Sequence, residues 1–285
     1  MKSVVFIGNR PNVYRSLQKL GSKIQIVKAY ALADSPLQQE WKKEPASFQE
    51  FFQFKERQHV LQNISNLEFD ILISNGCPFI IPVSSIKKPH QLFLNIHPTP
   101  LPFLKGKTPI NGYFYNQMKF FGVTVHEMND GIDTGPIVHQ RTEPLTEDID
   151  LGLLYNLVFE MEGSTFLQAW KMLEEKDFQF ESQIQKQEGS IFNRTPEMQN
   201  IDLQKDTTEI ILRKIRSFGI SSQGIHCVIE DSGYSIWEAD LIFNTYVLQK
   251  FASESAGKIV LFYQDYFLLK TIDGLIKVKR FKKQS

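Results

Sequence analysis

Cysteine is almost absent from this sequence, which has two, Cys77 and Cys227, among 285 residues. The two lie far apart and neither belongs to a Cys-x-x-Cys pair, so no disulfide framework or thiolate metal site is indicated. The histidines and carboxylates also lack the spacing of a metal site. We therefore expect two reduced thiols and no bound metal. Cys77 is interpreted as a buried structural thiol, because no base partner is indicated for it.

A surplus of either charge is also lacking, since 32 Lys and Arg residues balance 32 Asp and Glu residues. Proteins with a large nucleic-acid footprint normally carry a basic surplus, so we expect no nucleic-acid partner. No apolar run approaches the length of a membrane span. The N-terminal residues lack the layout of a cleavable signal. These absences predict a soluble, cytoplasmic protein with no membrane partner.

The glycine pattern of a dinucleotide-binding fold is missing as well. Residues 3–7, 12–20 and 23–30 have the patterns of strand, helix and strand, which form a βαβ unit and predict a parallel sheet. The first turn lacks Gly-x-Gly-x-x-Gly, which argues against a pyrophosphate site of that type. Asn9 and Arg10 lie at this turn, where contact with a substrate and a structural role are equally open.

The rest of the chain predicts two domains. Further strands and helices of the first are expected at 48–64 (helix), 70–74 (strand), 92–97 (strand), 109–118 (helix), 122–128 (strand), 137–140 (strand) and 148–173 (helix). The polar, glutamine-rich residues 176–190 form a candidate connector. We predict an α/β fold over residues 1–190, with a Rossmann-like, mostly parallel sheet flanked by helices. A smaller, β-rich C-terminal domain is predicted over residues 191–285.

Short alternating segments predict the β-rich domain. They follow a helix expected at 207–218 and lie at 228–230, 234–243, 258–262, 267–271 and 275–280. Asp273-Gly274, between the last two, is a strong signal for a two-residue hairpin.

The most informative stretch is the strand that ends Asn95-Ile96-His97-Pro98. Asn95 and His97 are two residues apart and therefore point to the same face of a strand. Pro98 cannot donate to the ladder, so the strand ends at the carboxyl edge, where open α/β sheets build their sites. Asp133 lies between two glycines in a turn-prone loop, from which a carboxylate can reach the imidazole. Each residue alone is more often structural, but together they predict a site.

These residues resemble the folate-dependent formyltransferase family, which includes the methionyl-tRNA, glycinamide ribonucleotide and sugar N-formyltransferases. The resemblance rests on Asn95-Ile96-His97-Pro98, Leu101-Pro102, Lys105-Gly106, Gly122-Val123-Thr124 and Asp133-Thr134-Gly135. It is strong over residues 74–140 and weaker towards both ends. The resemblance implies the formyltransferase fold and a catalytic triad of Asn95, His97 and Asp133. Lys105 replaces the usual Arg, and Thr99-Pro100 replaces Ser-Leu, which implies a changed acceptor mouth.

The resemblance also implies 10-formyltetrahydrofolate as co-substrate, with no metal. Residues 74–80 are similar to the folate-pocket segment of the sugar formyltransferases. The residues implied to hold the folate are Phe79, Ile80, Ile81, Asn129, Asp130, Gly131 and Ile132. The residues expected to contact the acceptor are Asn9, Lys105 and Arg194.

Three functions remain open. The first is transfer of a formyl group to a nucleotide-linked amino sugar, a 4-amino-4,6-dideoxyhexose, in surface-polysaccharide or lipopolysaccharide biosynthesis; the sugar-type segment and the zero net charge favour it. The second is methionyl-tRNA formylation, suggested by the basic, β-rich tail. The third is a non-catalytic protein that binds folate or a nucleotide sugar, against which the intact triad argues. The resemblance further implies a homodimer to which the tail contributes.

Overall fold

The computed structural model describes residues 1–179, 184–185 and 189–284. The chain divides into two compact units, of which the first comprises Met1–Pro109, Phe120–Pro144 and Asn156–Phe192. The second comprises Ile110–Lys119, Leu145–Tyr155 and Asn193–Ser285. The division at residue 190 stays a prediction, and the connector expected at 176–190 lies partly outside the described residues.

Eight α-helices are found in the described residues. They are α1 Pro11–Gln18, α2 Pro36–Trp41, α3 Arg57–Asn66, α4 Val83–Ile86, α5 Gly112–Tyr115, α6 Leu151–Glu175, α7 Thr208–Phe218 and α8 Thr245–Lys250. Local signals explain several starts, since Pro11 and Pro36 occupy first-turn positions that need no N–H donor. The Ser35 hydroxyl also accepts a hydrogen bond from the Gln38 N–H. Within the described ranges, no helix has the length and apolar character needed to cross a membrane.

The first unit is built on a seven-stranded sheet. Its strands are β1 Lys2–Gly8, β2 Ile24–Leu32, β3 Gln49–Phe52, β4 Ile71–Asn75, β5 Leu92–His97, β6 Phe120–Glu127 and β7 Ile137–Pro144. Their order is β3-β2-β1-β4-β5-β6-β7. The first five pair in parallel, whereas β6 and β7 are antiparallel to their neighbours. The prediction of a Rossmann-like, mostly parallel sheet flanked by helices is confirmed.

The helix expected over residues 48–64 is wrong in its first part. Residues 49–52 form β3, the edge strand that pairs in parallel with β2. The pairing buries Phe52, which is 2% exposed, and α3 begins only at Arg57. A local pattern did not reveal this strand because its partner lies about 20 residues earlier in the chain, and tertiary pairing overrides intrinsic propensity.

The second unit contains a five-stranded antiparallel sheet. Its strands are β8 Ile225–Ile229, β9 Ser232–Leu241, β10 Ile259–Tyr263, β11 Tyr266–Lys270 and β12 Leu275–Lys283, in the order β10-β11-β12-β9-β8. Helix α7 buries Ile211, Ile215 and Phe218 in the same apolar cluster as the sheet. The β-rich character of this part of the chain is confirmed. The two-residue turn expected at Asp273-Gly274 is wrong in its length, because Lys270 pairs with Leu275 and the four residues 271–274 connect β11 to β12. Helix α8 has no counterpart among the predicted elements.

A buried ion pair joins the β1–α1 turn to helix α6 within the first unit. Arg10 Nε and Nη2 donate to Glu162 Oε2 and Oε1 at 2.9 and 2.6 Å. The Glu162 side chain is fully buried. Burial raises the pKa of Glu162, and the Arg10 guanidinium limits the rise. Since both oxygens are used, the pair has the bidentate geometry that compensates best for desolvation.

We predict that Glu162→Ala lowers the free energy of unfolding by about 3–5 kcal/mol, because it leaves Arg10 without its buried partner. Glu162→Gln, which keeps the shape and an acceptor oxygen, costs less. Urea denaturation measures both. The matched control is Glu174→Ala on the same helix, because Glu174 pairs with Lys23 at the surface and its loss costs less than about 1 kcal/mol. Equal losses of unfolding free energy in Glu162→Ala and Glu174→Ala would contradict the conclusion that burial makes the Arg10–Glu162 pair important for stability.

Candidate active site

Strands β5 and β6 bring the polar side chains of the site together. Asn95 and His97 lie at the carboxyl end of β5, before Pro98, as predicted. The antiparallel register pairs Asn95 with His126 and His97 with Thr124. Residues directly opposite one another in an antiparallel pair have neighbouring side chains. His126, interpreted from sequence as a plain strand-face residue, therefore lies beside Asn95.

The Asp133 carboxylate is the common neighbour of these groups. Its Oδ1 atom lies 3.3 Å from Asn95 Nδ2, 3.4 Å from His97 Nδ1 and 3.7 Å from His126 Nε2. Its Oδ2 atom accepts a hydrogen bond from the Gly106 N–H at 2.9 Å. The structure thus brings together Asn95, His97 and Asp133, the three residues singled out from the sequence, and adds His126 to them.

The loop that carries Asp133 is fixed by its backbone. Asp133 has a φ of +52°, a left-handed conformation that Asp tolerates better than most residues. Gly135 is sterically required, since a Cβ atom there would lie 1.7 Å from the Glu127 carbonyl oxygen. Gln185 Nε2 donates to the carbonyl oxygens of Asp133 and Gly135 at 2.9 and 2.7 Å. Gln185 holds the loop from a distant part of the sequence, and no local signal indicated it.

The proline-rich loop after β5 is held by polar contacts from the neighbouring strands. Thr124 Oγ1 donates to the Thr99 carbonyl at 2.7 Å, and Gln140 Nε2 donates to the Leu101 carbonyl at 2.8 Å. The Leu104 carbonyl lies 3.0 Å from His97 Nε2. The loop therefore has a defined path between the strand that carries His97 and Gly106, which contacts Asp133.

The hydrogen bonds assign the ring tautomers. A carbonyl only accepts, so His97 Nε2 carries a proton towards Leu104 and the free lone pair of a neutral ring lies on Nδ1, facing Asp133. His126 Nδ1 similarly donates to the Glu127 carbonyl at 2.8 Å. Its Nε2 then accepts from Asn95 Nδ2 at 3.2 Å. One amide thus contacts both the His126 imidazole and the Asp133 carboxylate.

Burial and charge act in opposite directions on the two titrating groups. Burial lowers the pKa of His97, and the Asp133 charge and the Leu104 carbonyl only partly offset it. Burial raises the pKa of Asp133, but the contacts with His97, His126 and the Gly106 N–H lower it by more than burial raises it. The resulting pKa of Asp133 is about 2. The site at neutral pH therefore contains a neutral His97 beside an ionised Asp133.

A cavity of about 130 Å³ opens beside these groups. Six of the seven residues predicted to hold the folate line it, and they are Phe79, Ile80, Ile81, Asn129, Gly131 and Ile132. Asn95, His126 and Asp133 form another part of its wall. Ile80 and Ile132 are 57% and 47% exposed, so the mouth presents apolar surface to solvent. A small, partly apolar cavity beside polar groups suits one ring system of a larger ligand.

Asp130 is the exception among these seven, since it does not line the cavity. Its Oδ1 atom accepts a hydrogen bond from the Ser84 N–H at 3.1 Å. Asp130 thereby connects the loop of Asp133 to helix α4.

The three residues predicted to contact the acceptor lie in different places. Asn9 follows β1 in the first unit, and its Oδ1 atom is buried without a hydrogen-bond partner among the described residues. A Cβ atom at Gly76 would lie 2.2 Å from that oxygen. Lys105 is partly buried and precedes Gly106, but does not line the cavity. Arg194 is exposed and belongs to the second unit.

The cysteines supply no nucleophile. Both are free thiols, and burial raises the pKa of Cys77 and Cys227 to about 12, so each stays protonated at neutral pH. No group of three or more His, Cys, Asp or Glu side chains in the described ranges is arranged to hold a metal ion. The polar side chains that surround Asp133 Oδ1 are one amide and two imidazoles.

Comparisons with known proteins place this site in a family context. The sequence is similar to the methionyl-tRNA formyltransferase of Hahella chejuensis, with 26% identity over 253 residues, covering 83% of this chain and 77% of the relative. The fold is similar to that of an N-formyltransferase from Helicobacter canadensis solved with folinic acid and dTDP-3-aminofucose. That structure has a TM-score of 0.69 at 18% identity and covers 99% of this chain and 100% of its own.

A further structural neighbour is HypX from Aquifex aeolicus, with a TM-score of 0.67 and 18% identity. The match covers all of this chain but only 45% of HypX. Two family models account for nearly the whole sequence: "Formyl transferase" matches residues 1–170, and "Formyl transferase, C-terminal domain" matches residues 193–285. With its amide, imidazoles and carboxylate collected at the end of β5, the chain belongs to the formyl transferase family.

Proposed function

We propose that this protein transfers a formyl group from 10-formyltetrahydrofolate to the amine of a nucleotide-linked amino sugar. The observation that supports the proposal most is the position of Asp133 Oδ1, within 3.3–3.7 Å of Asn95, His97 and His126. The same carboxylate lines a cavity with residues predicted to hold the folate. The donor of the formyl group and the groups that activate it are then side by side.

The folate assignment is supported by two observations. The cavity wall contains the apolar side chains of Phe79, Ile80 and Ile81, which suit the flat face of a pterin. The similar N-formyltransferase of Helicobacter canadensis was solved with folinic acid. We propose that the loop of Asn129 to Ile132 closes the other side of the pterin, with Asp133 facing the formyl carbon.

The reaction needs a neutral amine and a place for developing negative charge. The amine nitrogen attacks the formyl carbon, a carbon–nitrogen bond forms, and the carbonyl oxygen becomes an oxyanion. The bond to the folate N10 then breaks, N10 takes a proton, and the amine loses one. We propose that Asn95 Nδ2 releases its 3.2 Å contact with His126 Nε2 and donates that N–H to the oxyanion, a contact of a kind worth about 3 kcal/mol in the transition state.

His97 is the proposed proton acceptor, and the hydrogen bonds identify the atom involved. Nε2 donates to the Leu104 carbonyl, so the available lone pair of the His97 ring is on Nδ1. This atom lies 3.4 Å from Asp133 Oδ1. A proton that reaches Nδ1, relayed through water or through the Asp133 carboxylate, converts this contact into a charge-assisted hydrogen bond. Asp133 would thus stabilise the imidazolium and orient the ring.

The basic strand at the end of the chain favours a sugar over an RNA acceptor. Lys279 pairs with Glu238 and Asp240 at 2.5 and 3.1 Å, and Lys277 lies 3.7 Å from Asp240. Arg280 donates to the Gly219 carbonyl at 2.5 Å. The two lysines are partly neutralised by strand β9, whereas binding of a phosphate backbone needs cations that can displace its counterions. The balanced net charge of the whole chain agrees with this.

Several finer assignments are part of the proposal. They are a 4-amino-4,6-dideoxyhexose as the sugar, a role in lipopolysaccharide biosynthesis, a homodimer, a cytoplasmic location, and acceptor contacts from Asn9, Lys105 and Arg194. The dTDP-3-aminofucose in the Helicobacter canadensis structure supports a nucleotide-linked amino sugar as the class of acceptor.

Methionyl-tRNA formylation is the second candidate. It is favoured by the sequence relatives, since the Hahella chejuensis protein that matches 83% of this chain is a methionyl-tRNA formyltransferase. It also agrees with the match of residues 193–285 to the C-terminal domain of the family.

An acceptor assay separates the two candidates. We expect the protein, given 10-formyltetrahydrofolate, to formylate dTDP- or UDP-linked amino sugars at least about a hundredfold faster than charged initiator tRNA. Mass spectrometry of the acceptor gives a gain of one formyl group. The rate should depend weakly on salt, because few phosphates are contacted. A preference for tRNA with a steep salt dependence would overturn the sugar assignment, and folate binding without turnover on either acceptor would overturn both.

His97→Ala is expected to lower kcat by at least about a hundredfold, because no other group at Asp133 has a free lone pair in the same position. The change should leave the affinity for folinic acid within about threefold, since His97 does not line the cavity. Steady-state kinetics and calorimetric titration measure the two quantities. His139→Ala on β7 is the control and should stay within about twofold of the wild type. Near-normal turnover of His97→Ala would remove His97 from the mechanism.

The pH profile tests the role of Asp133. His97 must be neutral to accept a proton, and burial lowers its pKa, so the acid limb of kcat/KM should lie below pH 6.5, the ordinary value for histidine. The Asp133 charge raises the pKa of His97, so Asp133→Asn should move the limb to still lower pH while reducing the plateau at least about tenfold.

The control for this measurement is Asp34→Asn, an exposed position whose φ of +62° Asn also adopts. It should leave both the limb and the plateau unchanged. A limb in Asp133→Asn that stays in place or moves to higher pH would contradict the pairing of Asp133 with His97.

A further inference from the structure

The second unit contains a much larger cavity, and we infer that it binds a small anion with an apolar body. The cavity has a volume of about 820 Å³ and is called here the α7 cleft. It is lined by parts of α5, α7, α8, the end of β9 and the β11–β12 connection, all within the second unit. This volume lies in the range of small-molecule sites, which is about 300–1,000 Å³.

The walls of the α7 cleft are mainly apolar. They include Tyr113, Phe114, Leu212, Leu241, Ile242 and Leu248. Helix α7 presents both an apolar and a cationic group to the cleft, because Leu212 and Arg213 are adjacent and Arg216 follows one turn later. A ligand that fills the cleft therefore buries an apolar body against these walls and meets a guanidinium at one side.

Arg213 supplies the observation that assigns the charge of the ligand. Its Nε atom is buried and has no hydrogen-bond partner among the described residues. A buried N–H of a charged group without an acceptor is unfavourable, and such a group in a folded protein calls for an explanation. Arg213 lines the cleft, so a carboxylate, sulfonate or phosphate bound there would meet a guanidinium charge that none of the acids of the cleft compensates.

The other charged groups of the cleft are engaged or lie towards solvent. Asp273 Oδ1 accepts from the Thr208 N–H and hydroxyl at 2.8 and 2.6 Å, and Glu209 accepts from Gln117 at 3.2 Å. The carboxylate of Glu147 and the ammonium of Lys119 belong to exposed residues. None of the acids is paired with Arg213 in the structure.

Arg216 is engaged as well. It donates to the carbonyl oxygens of Thr146, Glu147 and Ile149 at 3.1–3.2 Å and lies 4.5 Å from the ring centre of Phe114. These bonds fix one wall of the cleft. Arg213 is thus the cation of helix α7 that remains for an incoming anion.

The test uses the full chain with 2-naphthalenesulfonate as an anionic probe and 2-naphthalenemethanol as its neutral counterpart, titrated by calorimetry. We expect saturable binding of the sulfonate at one site and binding of the alcohol at least about tenfold weaker. Arg213→Met should weaken the sulfonate at least about tenfold and leave the alcohol nearly unchanged. Arg213→Lys, which keeps the charge but not the forked geometry, should have a smaller effect.

Lys205→Met is the matched control, since Lys205 is an exposed cation of the same unit that pairs with Asp202 outside the cleft. It should bind the sulfonate as the wild type does. Leu248→Glu, which places a carboxylate in the cleft without changing Arg213, should also weaken the sulfonate and decides the matter if Arg213→Met fails to fold. Circular dichroism establishes folding. Lack of saturable binding, equal affinity for sulfonate and alcohol, or wild-type affinity in the folded variants would overturn the inference.

Discussion

The candidate active site depends on the contacts that the Asp133 carboxylate makes. One of its oxygens is the common neighbour of an amide and two imidazoles, and the other accepts a backbone N–H from Gly106. Without this charge, the lone pair of His97 would face no group able to stabilise the imidazolium. The carboxylate also lies at the wall of the cavity, so the same group connects the proposed proton acceptor with the cavity predicted to hold the folate.

The sheet explains why these groups meet. Parallel strands β1, β4 and β5 end at one edge, and the antiparallel strand β6 returns past that edge with His126 opposite Asn95. Strand β5 pairs in parallel with β4 and antiparallel with β6. The change in direction therefore places His126, from within β6, beside Asn95 near the end of β5. A purely parallel sheet would have offered only its strand ends at this edge.

Part of this arrangement could be predicted from the sequence. Alternation in β5 and the proline after it predicted that Asn95 and His97 would lie together, and the flanking glycines indicated that Asp133 could turn back. His126 was not identified, because its proximity to Asn95 depends on a cross-strand register that no local pattern contains. Gln185 was missed because its side chain contacts the Asp133 loop from about 50 residues later in the chain. Strand β3 was missed because its local signal resembled that of a helix, and only its pairing with β2 defines it.

The contact of Gln185 with the Asp133 loop has a consequence for dissecting the protein. Every side chain of the proposed triad lies before residue 134, and the first family match ends at residue 170. A fragment cut there would keep the triad but lose Gln185, together with the Ser190 and Phe192 backbone that pairs with Lys105. A fragment meant to keep the contacts of Gln185 and Lys105 must therefore extend at least to residue 192, beyond the sequence that carries the proposed triad.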